Sequence, residues 1–231
     1  MAYRVRAGES PTLLFLPGYA SDMEGAKALA VDAFAAERGL AMVRFDYSGT
    51  GSSDGNFEDG ALDHWLEESL AVIDQLIEGP IILIGSSLGG WLAMLVTLRR
   101  PDRVRAVLGI AAAPDFTNWG FTADQKQLLR RDGRLGQAEG EGPRLVTRTF
   151  WESGDRLLIL DGPVAIDCPV RLVHGEVDSN VPVEISARLM GQLRSADVQL
   201  TIIKGSGHRL SEPHEIATIL RTLQELLELD P

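Results

Sequence analysis

One serine in this chain stands where its hydroxyl could be made to react. Gly85-Ser86-Ser87-Leu88-Gly89-Gly90 sets Gly85, Ser87 and Gly89 in a Gly-x-Ser-x-Gly frame. Ile81-Ile82-Leu83-Ile84 precedes it and Trp91-Leu92-Ala93-Met94-Leu95-Val96 follows it. The first run reads as a buried strand and the second as an apolar helix, so Ser87 falls on the turn between them. Such a turn forces its side chain out of the sheet. Small neighbours let the backbone close around it, and the helix N-terminus favours negative charge developing nearby. The five-residue frame alone is weak: a chain of 231 residues yields about 0.1 chance matches at average glycine and serine usage. The strand–turn–helix setting gives it weight.

A serine hydroxyl is a poor nucleophile near neutral pH and needs a base. The chain has four histidines. His64 lies within a helical pattern, His174 ends a strand before Gly175, where it could support a turn, and His214 follows Pro213 at the start of the last helix. His208 stands in Gly205-Ser206-Gly207-His208-Arg209, directly after a strand pattern. A loop at a strand's carboxyl end lets an imidazole reach the serine, which favours His208 as the base. The base needs an orienting carboxylate. Glu176 and Asp178 both follow the strand pattern at 170–174 in Gly175-Glu176-Val177-Asp178-Ser179-Asn180. Asp178, deeper in the turn, is favoured, with Glu176 the alternative; turn chemistry alone also accounts for an Asp there.

A tetrahedral intermediate needs donors aimed at its oxyanion. The backbone N–H of Leu88, one residue past the serine, is one candidate. The second is the N–H of Tyr19, in Leu16-Pro17-Gly18-Tyr19-Ala20-Ser21 after the first core strand. The Tyr19 ring serves equally as an acyl-pocket wall or as packing. Trp119, Phe121, Phe150 and Trp151 read first as the small core of an inserted segment and second as a wall for an apolar acyl group. Gly49-Thr50-Gly51-Ser52-Ser53-Asp54 lacks the third glycine of a dinucleotide loop, and no lysine follows in P-loop fashion, so Asp46 and Ser48 are expected to hold a turn there. No cluster has metal-ligand spacing, and no metal or cofactor is expected.

The elements that must carry these groups alternate. Strands are expected at 12–16, 41–45, 81–84, 104–110, 170–174 and 198–203. Helices are expected at 24–38, opened by Ser21 or Asp22 and closed by Gly39, and at 62–77, 88–99, 183–193 and 213–229. The alternation breaks from 114 to 167, which reads as a lid, flexible around 132–143. Repeated strand–helix units predict an α/β fold, a mostly parallel sheet covered by helices on both faces, with sites at the strands' carboxyl ends. The whole, 1–231, is expected to be one domain with the lid inserted.

Hydrophobic residues make up 45% of the chain, enough for one buried core, and the net charge of −11 disfavours nucleic acid or an anionic membrane as partner. The single cysteine, Cys168, cannot pair within the chain; it reads as a small core residue in a reducing compartment. Met1-Ala2-Tyr3-Arg4-Val5-Arg6 holds no apolar segment of the signal-peptide kind, and nothing in it reads as a mitochondrial presequence. The expectation is a cytoplasmic protein, monomer or homodimer, without a membrane span.

The order Ser87, Asp178, His208 is the nucleophile–acid–base order of α/β-hydrolases. The chain resembles that superfamily over essentially its whole length. More narrowly it is similar to the family of the mitochondrial palmitoyl-protein thioesterase that also acts as an acyl-glucuronide esterase, with its bacterial relatives. The resemblance rests on Phe15-Leu16-Pro17-Gly18-Tyr19, Arg44-Phe45-Asp46-Tyr47-Ser48-Gly49, Gly51-Ser52-Ser53-Asp54-Gly55, Gly85 to Leu92, and Cys168 to Gly175. It implies an α/β-hydrolase fold, Ser87 as nucleophile, Asp178 as acid and His208 as base. The implied reaction is hydrolysis of a small-molecule ester or thioester through an acyl-enzyme. Pro17 departs from the histidine usual before that glycine, and the segment 114–167 carries little of the resemblance. Three other readings remain: another reaction on the same triad, such as carbon–carbon bond hydrolysis or a lyase step; a noncatalytic receptor on the same fold; and a purely structural or interaction role.

Overall fold

The structure, a computed structural model, describes residues 1–136 and 145–229. The chain runs through β1 (Tyr3–Arg6), β2 (Glu9–Leu16), α1 (Ala26–Arg38), β3 (Leu40–Phe45), α2 (Leu62–Leu76), β4 (Ile81–Ser86), α3 (Leu88–Arg99) and β5 (Val104–Ile110). It continues through α4 (Phe116–Trp119), α5 (Ala123–Asp132), β6 (Arg134–Leu135), β7 (Val146–Thr147), α6 (Arg148–Asp155), β8 (Val170–Gly175), α7 (Val183–Gln192), β9 (Val198–Ile203) and α8 (Pro213–Leu227). Seven strands form one sheet in the order β1-β3-β2-β4-β5-β8-β9. Every pairing is parallel except β1 with β3.

Side chains alternate across a strand, and this alternation sorts the core into two layers. Leu13, Phe15, Ile82, Ile84, Leu108 and Ile110 face Val31 and Phe34 of α1 and Ile219, Leu223 and Leu226 of α8. Leu14, Leu16, Ile81, Leu83 and Leu172 face Leu66 and Ile73 of α2, Leu92 and Val96 of α3, and Leu189 of α7. Both faces are covered, which is why the central strands read as unbroken apolar runs. Helix α3 is buried from Leu88 through Thr97, hence apolar all round.

Two differences from the sequence expectation have a clear physical cause. Strand β1 was not anticipated: its Tyr3 and Val5 are exposed at the sheet edge, so no buried run marks it, and its place is fixed by antiparallel pairing with β3. Helix α1 begins at Ala26 rather than at 24, with Gly25 as N-cap and no side-chain cap. The Asp22 carboxylate accepts from Glu24 N–H at 2.9 Å, and Met23 N–H is drawn to Asp46 Oδ1 at 2.7 Å. These bonds hold the chain out of the helix for two more residues. Gly39 closes α1 in the left-handed region, φ +67°. Cys168 is half-buried against the core, and burial pushes its thiol up to about 11.

Between β5 and β8 lie α4, α5, α6 and the short β6–β7 ladder. Of the stretch expected to be flexible, 137–143 lies outside the described residues. Asp115 ties the segment together: its buried carboxylate accepts from Ile159 and Leu160 N–H, both at 2.8 Å. Burial raises the pKa of that carboxyl, the two N–H donors opposing the rise in part. Phe150 and Trp151 do not form a separate core, as the sequence suggested. Both are buried in the layer that holds α2 and α3, and Phe150 packs on Trp65 and Tyr19 with ring centroids 5.7 and 4.7 Å away.

Candidate active site

Ser87 occupies the single residue between β4 and α3, with φ +55° and ψ −116°. A non-glycine residue held so costs about 1–3 kcal/mol, offset only where the surroundings fix it. Here its N–H donates to Ile110 O at 2.8 Å, and its carbonyl accepts from Gly90 and Ala113 N–H at 2.9 and 3.0 Å. The flanking glycines make room. A Cβ on Gly85 would stand 2.2 Å from Gly89 O, and one on Gly89 would stand 2.0 Å from Leu16 O. The frame is thus set by close approach of helix, strand and neighbouring loop.

His208, on the loop after β9, brings Nε2 to 3.1 Å from Ser87 Oγ and Nδ1 to 2.8 Å from Asp178 Oδ2. Asp178 lies in the turn after β8 with its side chain fully buried. Its Oδ1 accepts from Asn180 and Val181 N–H at 2.8 and 2.9 Å. Burial alone would raise its pKa, but the hydrogen bonds from His174, His208 and Val181 N–H outweigh it and hold the carboxyl well below the usual range. The structure therefore brings Ser87, His208 and Asp178 together. Glu176, the alternative acid, turns outward and accepts from Gly205 N–H at 2.9 Å. Among the other histidines, His64 is exposed on α2 with Nε2 3.2 Å from Glu68, and His214 opens α8. His174 is fully buried beneath Asp178; the sequence reading gave it a turn to support and did not place it against the carboxylate. The signal was there: a histidine closing the central strand Val170-Arg171-Leu172-Val173 has to find partners in the interior.

Leu88 is the first residue of α3, so its N–H has no acceptor within the helix. The loop bearing Tyr19 presses on the turn: a Cβ on Gly18 would meet Ser86 O at 3.2 Å and Ser87 Cβ at 3.3 Å. Among the described residues neither Leu88 nor Tyr19 N–H has a protein acceptor. The Tyr19 ring is packed on Phe57, Trp65 and Phe150. Its hydroxyl donates to Leu145 O at 2.6 Å, and burial raises its pKa. The ring thus anchors the inserted segment while also bordering the cleft.

A cleft of about 520 Å³ opens at Ser87, bordered by Gly18, Tyr19, Leu88, Phe116, Val181 and His208, with Lys27 and Arg209 at its side. Phe116, Lys27 and Arg209 were not singled out from sequence, since nothing in their local pattern links them to the serine. Asp46 and Ser48 hold the glycine-rich turn as expected: Asp46 Oδ2 accepts from Ser52 N–H at 2.8 Å, and Ser48 N–H donates to Glu68 at 3.0 Å. Among the described residues no group of three or more His, Cys, Asp or Glu could hold a metal ion. No helix there is long and apolar enough to cross a membrane.

An α/β sheet with a strained serine between strand and helix, facing a histidine–aspartate pair, defines the hydrolase class, and comparison with known proteins agrees. The model of the alpha/beta hydrolase family matches residues 13–219. The human palmitoyl-protein thioesterase ABHD10, mitochondrial, is 38% identical over 99% of this chain and 76% of its own. The solved structure of mouse alpha/beta hydrolase domain-containing protein 10 superposes with a TM-score of 0.91 at 34% identity, covering 98% of this chain and 93% of the other. A putative hydrolase from Agrobacterium vitis S4 superposes at 0.92 with 35% identity, covering 98% and 92%. The chain belongs to the alpha/beta hydrolase family. The relatives named ABHD10 are mitochondrial by name, which overturns the cytoplasmic expectation. That expectation rested on the lone cysteine and on seeing no signal-peptide segment or membrane span, and a lone cysteine fits a reducing compartment in general without separating one from another.

Proposed function

We propose that this esterase/thioesterase-type hydrolase works through Ser87 as nucleophile, His208 as general base and Asp178 as the carboxylate that orients it. His208 takes the Ser87 proton as Oγ attacks the substrate carbonyl. The Leu88 and Tyr19 N–H groups receive the oxyanion. The alcohol or thiol leaves with the proton from His208, and water then hydrolyses the acyl-enzyme by the same steps. The observation that carries this reading is the unbroken hydrogen-bonded chain from Ser87 Oγ through His208 to Asp178, at 3.1 and 2.8 Å.

The substrate we propose is a small acyl ester or thioester. Relatives named palmitoyl-protein thioesterase support the thioester, and a cleft of about 520 Å³ falls within the roughly 300–1,000 Å³ of sites that enclose small ligands. The chain acts as one hydrolase domain, monomer or homodimer, with 114–167 as the lid that sets acyl choice. The test is labelling by a fluorophosphonate probe with Ser87→Ala alongside, then hydrolysis of p-nitrophenyl esters and matched thioesters of increasing acyl length. Labelling and turnover that both vanish in folded Ser87→Ala support the reading. Unchanged turnover in that variant overturns it.

A further inference from the structure

The buried imidazole of His174 is accounted for by nothing above. Its Nδ1 lies 2.7 Å from Ser186 Oγ on α7. Its Nε2 lies 2.9 Å from Val181 O and 3.3 Å from Asp178 Oδ2. Nε2 faces two acceptors, so it carries the hydrogen, and Nδ1 accepts from the Ser186 hydroxyl. We propose that His174 is a positioning residue for the reaction: bonded to Ser186 and to Val181 O, with Nε2 held against Asp178 Oδ2, it fixes the orienting carboxylate from behind. The inference rests on Ser87, His208 and Asp178 being the catalytic chain.

The physical case is one of counting donors. A carboxylate offers about four acceptor sites; three donors bond to those of Asp178, and His174 Nε2, bonded to Val181 O, lies against the remaining one. Two backbone N–H groups, of Asn180 and Val181, meet Oδ1. The His208 imidazole bonds to Oδ2 at 2.8 Å, and His174 Nε2 lies 3.3 Å from the same oxygen. The Oδ1 pair stops the group from sliding along its own turn, but by itself leaves the Oδ2 side free to tilt. His174 closes that freedom, and it does so from a rigid base: it sits on β8, is completely buried, and is itself fixed by α7. Its bond to Val181 O also pins the turn that supplies one of the Oδ1 donors. Among the described residues, the titratable groups against Asp178 are the two histidines, while Glu176 points away to Gly205 N–H.

A residue that only fills space would lower the amount of folded protein and leave the chemistry of each folded molecule alone. A positioning residue acts on kcat. His174→Phe keeps the ring volume and removes both nitrogens. With Oδ2 free to tilt, kcat is expected to fall about 10- to 100-fold, the scale of a small misplacement of reacting groups, with KM within about twofold. The loss of a donor leaves more negative charge for the protonated His208 to pair with, so the acid limb of kcat/KM moves to higher pH, by ~0.5 unit. His174→Gln returns an amide N–H near the Nε2 position and is expected to recover most of both effects. Ser186→Ala, milder for the fold, loosens His174 alone and moves kcat and the limb the same way by a few-fold less.

The experiment measures kcat, KM and the pH profile of all four proteins on one p-nitrophenyl ester, normalised to sites titrated by a fluorophosphonate. The proposal stands if His174→Phe loses kcat per titrated site, shifts the acid limb upward and is rescued by His174→Gln; should the Phe variant fail to fold, Ser186→Ala carries the same readouts. Variants that match the wild type per titrated site, or Gln and Phe variants that differ from it only in the amount folded, overturn it. A wild-type protein not labelled at Ser87 overturns the catalytic reading itself and this inference with it. A labelled, active wild type with unaffected variants overturns the inference alone.

Discussion

Asp178→Asn is the substitution that probes the reaction chemistry most sharply, because the side chain keeps its shape and changes only what two of its atoms can do. The amide has one acceptor oxygen. Two backbone donors, Asn180 and Val181 N–H, already converge on the Oδ1 position at 2.8 and 2.9 Å, so the oxygen is held there. The NH2 group then takes the place of Oδ2 and faces the His208 nitrogen 2.8 Å away. Donor against donor is untenable at that distance. The neutral imidazole escapes by moving its proton: Nδ1 becomes the acceptor and Nε2 carries the hydrogen. But Nε2 is the atom 3.1 Å from Ser87 Oγ, and a protonated Nε2 cannot take the serine proton. Loss of the correct tautomer, together with loss of the negative charge behind the developing imidazolium, is worth about 10⁴ in kcat, or about 5 kcal/mol of barrier. The fold should survive, since both Oδ1 bonds remain. The assay is hydrolysis of a p-nitrophenyl ester under saturating conditions, with circular dichroism and thermal melting to show that the variant is folded. A folded variant that keeps more than a tenth of wild-type kcat would refute the argument, for then the carboxylate does not set the tautomer of His208.

Three further outcomes follow from the same geometry. Ser87→Gly, inactive like Ser87→Ala, should exceed it in stability by about 1 kcal/mol, the relief at φ +55° less the extra entropy of an unfolded glycine; equal melting temperatures would mean the turn stores no strain. Gly89→Ala drives a Cβ to 2.0 Å from Leu16 O, a backbone atom that cannot swing aside. It should cost about 1–3 kcal/mol and most of the activity, measured by urea unfolding and by ester hydrolysis, and a neutral effect would refute the close approach of α3 to β2. Asp178 has a folded pKa below its unfolded value, so its stabilisation is present above the ordinary carboxyl value, about 3.9, and is lost as pH falls through the folded value. Urea midpoints should therefore drop with pH below about 4 in the wild type and drop less in Asp178→Asn; parallel curves would contradict the assignment.

How far the sequence alone reached depends on whether a feature is set by neighbours along the chain or across space. The strands that make the sheet's centre were legible because burial on both faces demands unbroken apolar runs such as Ile81-Ile82-Leu83-Ile84. The turn at Ser87 was legible because its glycines are required within five residues, and the strands' carboxyl ends told where Asp178 and His208 had to be sought. Edge strand β1 was not, since Tyr3 and Val5 remain exposed and only pairing with β3 makes them a strand. Nor was the start of α1, set by Asp46 at a distance of 23 residues.

The residue types able to do the chemistry, and their order, belong to the sequence by itself; so does the alternation of strands and helices that places them at one edge of a sheet. Their assembly does not. Ser87 and His208 lie 121 positions apart and His208 and Asp178 lie 30 apart, and only packing of the layers decides that these histidine and carboxylate atoms meet rather than those of His214 or Glu176. The same holds for His174, whose buried partners come from the next turn and from α7, and for Phe150, which joins the main core instead of one of its own. Local pattern fixes which face a residue presents; the partner on that face is chosen by the three-dimensional contact, because hydrogen bonds and apolar burial are rewarded by proximity in space and not by spacing along the chain.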